Sequence, residues 1–251
     1  KEILFTSGGS ESNNMALIGT AWANQRAGKH IISTSIEHPS VYNPLGVLEE
    51  LGFEVTILPV DHDGHISLKE LEEAIRPDTI LVSTMYVNNE VGAVEPVEEI
   101  SKIIKAKNPS TLYHVDAIQA YGKYVIRPKK QGIDLLSVSS HKIHGPKGVG
   151  FLYIRNGVKI KPLIYGGGQQ AGMRSGTENV PGVAGFGAAA KEMYTDHAAK
   201  VAKLIELKDY MTDRLGEIEG TVINSKKGEA SAPQIVSVSF AGVRSEVLLH
   251  A

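Results

Sequence analysis

The sequence predicts an α/β fold: three layers, with a mostly parallel, seven-stranded sheet covered by helices on both faces. Three observations carry that reading. Short β-rich runs recur along the chain and alternate with amphipathic segments. The runs are near-continuously apolar, as strands buried on both faces must be. The 251 residues are 42% apolar with a net charge of −2, enough for one such domain with a full core.

In chain order, strands are expected at Ile3–Thr6, His30–Ser35, Glu54–Pro59, Thr79–Met85, Thr111–Val115, Asp134–Val138 and Val149–Ile154. The last follows a short glycine turn, which suits an antiparallel strand. A helix is expected from near Ser10. A capping box, Ser67-Leu-Lys-Glu70, opens another that runs to Ile75. Pro96 suits the first turn of a third, with Val97, Ile100, Ile103 and Ile104 on its apolar face. A long helix is expected over Val180–Leu215, broken near Asp196, then a polar loop from Asn224 to Pro233 and a strand at Ile235–Phe240. Residues 1–200 read as the large sheet domain. Residues 201–251 read as a linking helix and the start of a smaller α+β domain.

The ends shape a further expectation. The chain opens on Lys-Glu-Ile-Leu-Phe, already a strand, and stops at Ser245–Ala251 in the first turns of a helix. It reads as an internal piece of a longer protein. There is no cysteine, hence no disulfide and no thiolate metal site. No run approaches the roughly 18 apolar residues of a membrane span. Neither a signal-peptide pattern nor a strongly basic balance is present, so neither a membrane nor nucleic acid is expected as a partner, and the location reads as cytoplasmic.

The most informative stretch is Ser139–Gly150, Ser-Ser-His-Lys-Ile-His-Gly-Pro-Lys-Gly-Val-Gly. Lys142 stands between two histidines, after an apolar run and before a glycine-rich turn. A neutral amine in such a setting can form a Schiff base with an aldehyde, and the implied aldehyde is pyridoxal 5′-phosphate (PLP).

Five further groups fit that cofactor. Thr6-Ser-Gly-Gly-Ser-Glu-Ser-Asn-Asn14 ends a strand, turns and starts a helix, which suits either a phosphate or a plain N-cap. Asp116, after an apolar strand, is either an N-cap or the carboxylate that keeps a pyridine nitrogen protonated. Pro39 keeps His38 out of the helix, so its ring either faces the strand ends or lies on the surface. Val87-Asn-Asn-Glu-Val-Gly92 suits a carboxylate or hydroxyl, or an ordinary Asx turn. Gly166–Thr177, rich in glycine, holds Arg174, Ser175 and Thr177, which are anion-binding types on what is otherwise a flexible loop. Asp61-His-Asp-Gly-His65 lacks the later ligands of a calcium loop, so a β-turn at Asp63-Gly64 is expected there, and no metal.

In combination and in this order, these motifs resemble the class V aminotransferase family, and within it the NifS/IscS-like cysteine desulfurases. The resemblance runs from Phe5 to about Leu249. It implies a PLP-dependent fold of the aspartate aminotransferase type, active as a homodimer. Lys142 would attach the cofactor, Asp116 would pair with the pyridine nitrogen, and Gln119 would bond the ring's 3-oxygen. His38 would stack on the ring and exchange protons. Gly9, Ser10, Ser139 and His141 would hold the phosphate. Thr177 would reach the phosphate of the neighbouring subunit, and Asn89 would sit near the 3-oxygen and the substrate carboxylate.

Two positions depart from the family pattern: Gln170 stands where Glu is usual, and Ser10 where Thr is common. The reaction implied converts L-cysteine to L-alanine and an enzyme persulfide, with sulfur passed to an Fe-S scaffold or another sulfur-acceptor protein. The family's acceptor cysteine and its carboxylate-binding arginine would lie beyond Ala251, so this chain alone is expected to bind PLP weakly without desulfurating. A selenocysteine lyase, a small-molecule aminotransferase and a non-catalytic scaffold of the same fold are the alternatives.

Overall fold

The computed structural model describes residues 2–250. Seven strands form one sheet in the order β1-β7-β6-β5-β4-β2-β3. They are β1 (Ile3–Thr6), β2 (His30–Thr34), β3 (Glu54–Leu58), β4 (Thr79–Met85), β5 (Leu112–Asp116), β6 (Leu135–Ser139) and β7 (Gly150–Ile154). Only β7 runs against the rest, pairing antiparallel with both β1 and β6. The expected strands are all present. The fifth slides forward, so that Asp116 is its last residue.

Side chains alternate between two cores, as strand geometry requires. Ile31 and Leu81 face one layer, with Met15, Leu17, Leu45 and Leu48. Ile32 and Val82 face the other, with Leu71, Ile100, Ile104 and Phe186. The first layer is built from α1 (Gly9–Asn14), a π-turn (Met15–Gly19), α2 (Thr20–Asn24) and α3 (Pro39–Glu50). From Gly9 to Asn24 the backbone stays helical through both junctions, so this is one continuous rod. The second layer uses α4 (Leu68–Ala74), α5 (Val97–Lys107) and α6 (Val180–Tyr194). Ser67 caps α4 through Glu70 N–H, as the capping box predicts. Pro96 is the N-cap of α5 and precedes its first turn.

The long helix breaks where expected. α6 ends at Tyr194, Asp196 turns left-handed at φ 51°, and α7 (His197–Gly216) begins. The last predicted strand is shorter than read: β9 is only Val238–Phe240, because Ile235 is held in a turn on Ala232 and packs over Gly92. Its partner β8 (Thr221–Ile223) was not anticipated, being three residues long. The polar loop between them is anchored by Lys208, 3% exposed, whose ammonium donates to the carbonyls of Gly228, Ser231 and Ala232 and to Ser231 Oγ. α8 covers Ser245–His250. No helix among the described residues is long and apolar enough to cross a membrane.

Candidate active site

The carboxyl ends of the parallel strands open into one pocket of about 200 Å³. Gly9 and Ser10 enter it after β1, and His38 and Ser40 after β2. Met85 and Asn89 come from the end of β4, and Asp116, Ile118 and Gln119 from the end of β5. Ser139, His141 and Lys142 come from the end of β6. In an open α/β sheet this is where ligands bind. Of the residues to which the family resemblance gives a role, Thr177 alone lies outside the pocket, exposed on the glycine-rich loop.

Asp116 is 4% exposed. Its Oδ2 accepts from Asn13 Nδ2 at 2.7 Å and its Oδ1 from Ile118 N–H at 3.0 Å. Burial pushes the carboxyl up from its ordinary range, and the two hydrogen bonds and the nearby His38 oppose that. Among the described residues no cation forms an ion pair with it. The site therefore holds a buried carboxylate that lacks a positive partner.

β6 lies beside β5, with Ser137 opposite Asp116, and continues into a 3₁₀ turn at Ser140–Ile143 that carries Lys142. His144, left-handed at φ 63°, ends the turn, and Gly145 N–H closes it on the Ser140 carbonyl. A Cβ at Gly145 would stand 2.1 Å from Ser140 Oγ, so the glycine after His144 is a packing requirement. Ser139 Oγ lies 2.8 Å from His141 Nδ1. Burial, with the charges of Lys142 and Lys147, holds that imidazole below its usual range.

Opposite this turn, Gly9 starts the helical rod. A Cβ there would sit 2.1 Å from Ile118 Cδ1, so the bare residue lets the Ile118 side chain keep its place at the pocket wall. Ser10 stays exposed at the rim. His38 is the N-cap of α3 with extended backbone, as Pro39 dictates. Its Nδ1 accepts from Ser40 N–H at 3.0 Å, which leaves the neutral ring's proton on Nε2.

Glu37 points the other way. Its Oε1 accepts from Thr34 Oγ1 at 2.7 Å and from Met85 N–H at 2.8 Å, tying the His38 loop to β4. Asn88 is buried; its Oδ1 accepts from Glu90 N–H and Val91 N–H within its own loop, and its Nδ2 donates to the Ile36 carbonyl at 3.1 Å, a second tie to the His38 loop. Asn89 is the asparagine that reaches the pocket.

The glycine-rich loop differs from the anion-binding expectation. Arg174 Nε is engaged by Glu11 Oε1 at 2.9 Å, and Ser175 is buried. Gln170, at the departure from the family pattern, pairs with both backbone groups of Phe5. Its Oε1 accepts from the Phe5 N–H and its Nε2 donates to the Phe5 carbonyl, each at 2.7 Å. A glutamate could not make the second bond while ionised. The Asp61–His65 stretch is the expected turn. Gly64 is left-handed at φ 90°, and Asp61 Oδ1 accepts from the Asp63 and His65 N–H groups.

Sequence reasoning missed Asn13, Ser40, Met85 and Ile118. Asn13 had a signal: it lies one helical turn beyond Gly9 within the quoted motif. Ser40 had one too, two residues after an N-cap. Met85 and Ile118 had none, being apolar residues at strand ends.

A family model described as aminotransferase class-V matches residues 1–251. The chain belongs to the class V aminotransferase family. Within it, the chain is 46% identical over 251 residues to a protein of Dictyoglomus turgidum named cysteine desulfurase IscS, covering 99% of this chain and 63% of that one. It is 45% identical over 248 residues to cysteine desulfurase IscS 1 of Archaeoglobus fulgidus, covering 99% and 64%. Among solved structures, a NifS-like protein aligns with a TM-score of 0.96 at 42% identity, over 99% of this chain and 68% of that one. DndA from Streptomyces lividans aligns with a TM-score of 0.89 at 39% identity, over 99% and 70%. This class V chain thus spans somewhat under two thirds of the length of these curated relatives.

Proposed function

We propose that this chain is the PLP-binding part of a cysteine desulfurase, which converts L-cysteine to L-alanine and leaves the sulfur as a persulfide on an acceptor thiol. The observation that carries the reading is the pocket itself. One cavity gathers Lys142, Asp116, His38 and the Gly9–Ser10 helix start, in a chain 46% identical to a protein named cysteine desulfurase.

The residues fit PLP. Asp116 is a buried carboxylate without a cation, and a protonated pyridine nitrogen is such a partner. Gly9 leaves the first amides of the helical rod open, with Ser10, Ser139 and His141 beside them, to take the phosphate. His38 would lie against the ring, and Gln119 and Asn89 at its 3-oxygen side. When bound, PLP supplies an electron sink for charge developing at the substrate's α-carbon. Lys142 holds the cofactor and, once released, moves the proton at that carbon. His38, with Nε2 carrying the proton, is its acid–base partner.

No cysteine occurs in the 251 residues, so the acceptor thiol comes from outside them. The thiol's sulfur would bond to the substrate's sulfur as the substrate's C–S bond breaks, and the carbon would keep the electron pair and take up the proton, so that thiol and cysteine give persulfide and alanine with no outside oxidant. In the same reading Thr177 reaches the phosphate of a second copy in a homodimer, and the sulfur goes on to an Fe-S scaffold or another acceptor protein in the cytoplasm. Residues 1–200 form the cofactor domain, and residues 201–251 lead into a smaller one.

The test is spectroscopic and then chemical. PLP added to the full-length protein should give the visible absorbance of a lysine-linked cofactor, absent in Lys142→Ala. With cysteine, alanine and persulfide should form in equal amounts. Release of another amino acid, or no linked cofactor, would sink the reading.

A further inference from the structure

Beneath Lys142 lies a second lysine that the chemistry above does not use. Lys123 follows the pocket segment Asp116–Gln119 and is 7% exposed. Its Nζ donates to the main-chain carbonyl of Lys142 at 2.6 Å. Among the described residues no carboxylate pairs with it. Burial, and then the charge of Lys142, lower it from the usual lysine range to about 8.

A buried ammonium without a counter-ion is costly, and an apolar residue of equal length would fill the same space more cheaply. The surrounding turn is firmly placed. Gly122 N–H donates to Tyr194 Oη, which in turn donates to the Tyr124 carbonyl. A Cβ at Gly122 would come within 2.7 Å of Ile143 Cγ2. The turn therefore touches both residues that end the 3₁₀ segment, Lys142 through its carbonyl and Ile143 through its side chain.

We propose that Lys123 is a positioning residue for Lys142, whose bond to the Lys142 carbonyl fixes the line along which the Lys142 side chain enters the pocket. The inference rests on the reading of Lys142 as the cofactor-linking amine. The 3₁₀ turn has few hydrogen bonds of its own, and Lys123 supplies one from outside the turn to the residue that must be aimed.

The experiment follows attachment rather than turnover. Full-length protein and its Lys123→Met and Lys123→Arg variants are mixed with PLP. The growth of the linked-cofactor absorbance is timed, and the link is trapped on Lys142 with borohydride. Non-covalent affinity and melting temperature are measured alongside. Lys123→Met should attach PLP more slowly by about tenfold or more, the scale of a small misplacement, while affinity and melting temperature hold. Lys123→Arg, which keeps a donor, should fall between.

Attachment by Lys123→Met at the wild-type rate overturns the inference and leaves the PLP reading standing. So does a slowing matched by equal losses of affinity and thermal stability, which marks a merely structural residue. Wild-type protein that forms no link refutes the PLP reading and this inference with it. Should Lys123→Met not fold, Lys123→Arg decides: slower attachment at an unchanged melting temperature supports the role, and a wild-type rate refutes it.

Discussion

Asn13 Nδ2 donates a 2.7 Å hydrogen bond to Asp116 Oδ2, joining the first helix to the end of β5 across 103 residues of sequence. Asn13 is fully buried and also donates to Ser40 Oγ at 2.9 Å, so one amide holds the carboxylate and the His38 loop together. Asn13→Ala strands a buried acceptor, which should cost about 1–3 kcal/mol. It also removes a bond that opposes the upward push on Asp116, so PLP affinity should fall as well. Asn13→Asp should be worse, because two adjacent buried carboxyls cannot both ionise. Urea unfolding and a spectral PLP titration measure the two effects.

Two glycines should fail in different ways. Alanine at Gly9 meets only the tip of Ile118, a side chain that can turn, and that side chain lines the pocket. Gly9→Ala should therefore keep the fold and weaken PLP binding, and adding Ile118→Ala should restore part of it. Alanine at Gly150 would stand 2.5 Å from the Val138 carbonyl and 2.8 Å from Gly8 Cα, which are backbone atoms. Gly150→Ala should cost about 2–4 kcal/mol of stability, read by thermal melting.

Glu37 gives an alkaline signature. Burial raises its carboxyl from 4.5 to about 8, with Asp116 and Glu95 adding to it against the bonds from Thr34 and Met85. The folded chain thus holds a proton that the unfolded chain releases near 4.5. Stability from this group is complete below that pH and falls as pH rises towards about 8. Glu37→Gln, which keeps an acceptor for Thr34 and Met85, should flatten that decline by on the order of a few kcal/mol. Melting temperature against pH for both proteins is the check. An unchanged slope would refute it.

His114 gives the opposite limb. Buried in β5 between Ser83 Oγ and Ser137 Oγ, it is lowered from 6.5 to about 3 by burial. The unfolded chain takes up a proton near 6.5 that the folded chain refuses. This contribution is whole above 6.5 and is lost as pH falls towards about 3. His114→Gln should move the acid limb of the melting curve to lower pH.

Strand positions were legible because β2, β4 and β6 are buried on both faces and so read as mostly apolar and β-branched runs, broken only by residues such as Ser and Thr. That Lys142, Asp116 and His38 share one pocket was legible because each lies at or within four residues of the carboxyl end of a parallel strand. What escaped depended on partners distant in sequence. Nothing near Asn13 announces Asp116, and nothing near Lys123 announces the Lys142 carbonyl. β8 was missed because three residues carry no periodicity. Arg174 looked like an anion binder because its charge is visible in the sequence, while its neutralisation by Glu11 is not.

Among the described strands β1 pairs with β7 alone, its other edge being met at Phe5 by the Gln170 side chain, and Gly150 stands opposite both Thr6 and Ser139. The Gly9–Ser10 side of the pocket is thus tied to its Lys142 side through one bare residue. As the chain leaves a ribosome, β2 to β6 can assemble while the first strand waits, with Leu4 and Phe5 uncovered. β1 is made well before the strand that pairs it, and during that delay an unpaired apolar strand is open to capture by a chaperone or by another nascent chain.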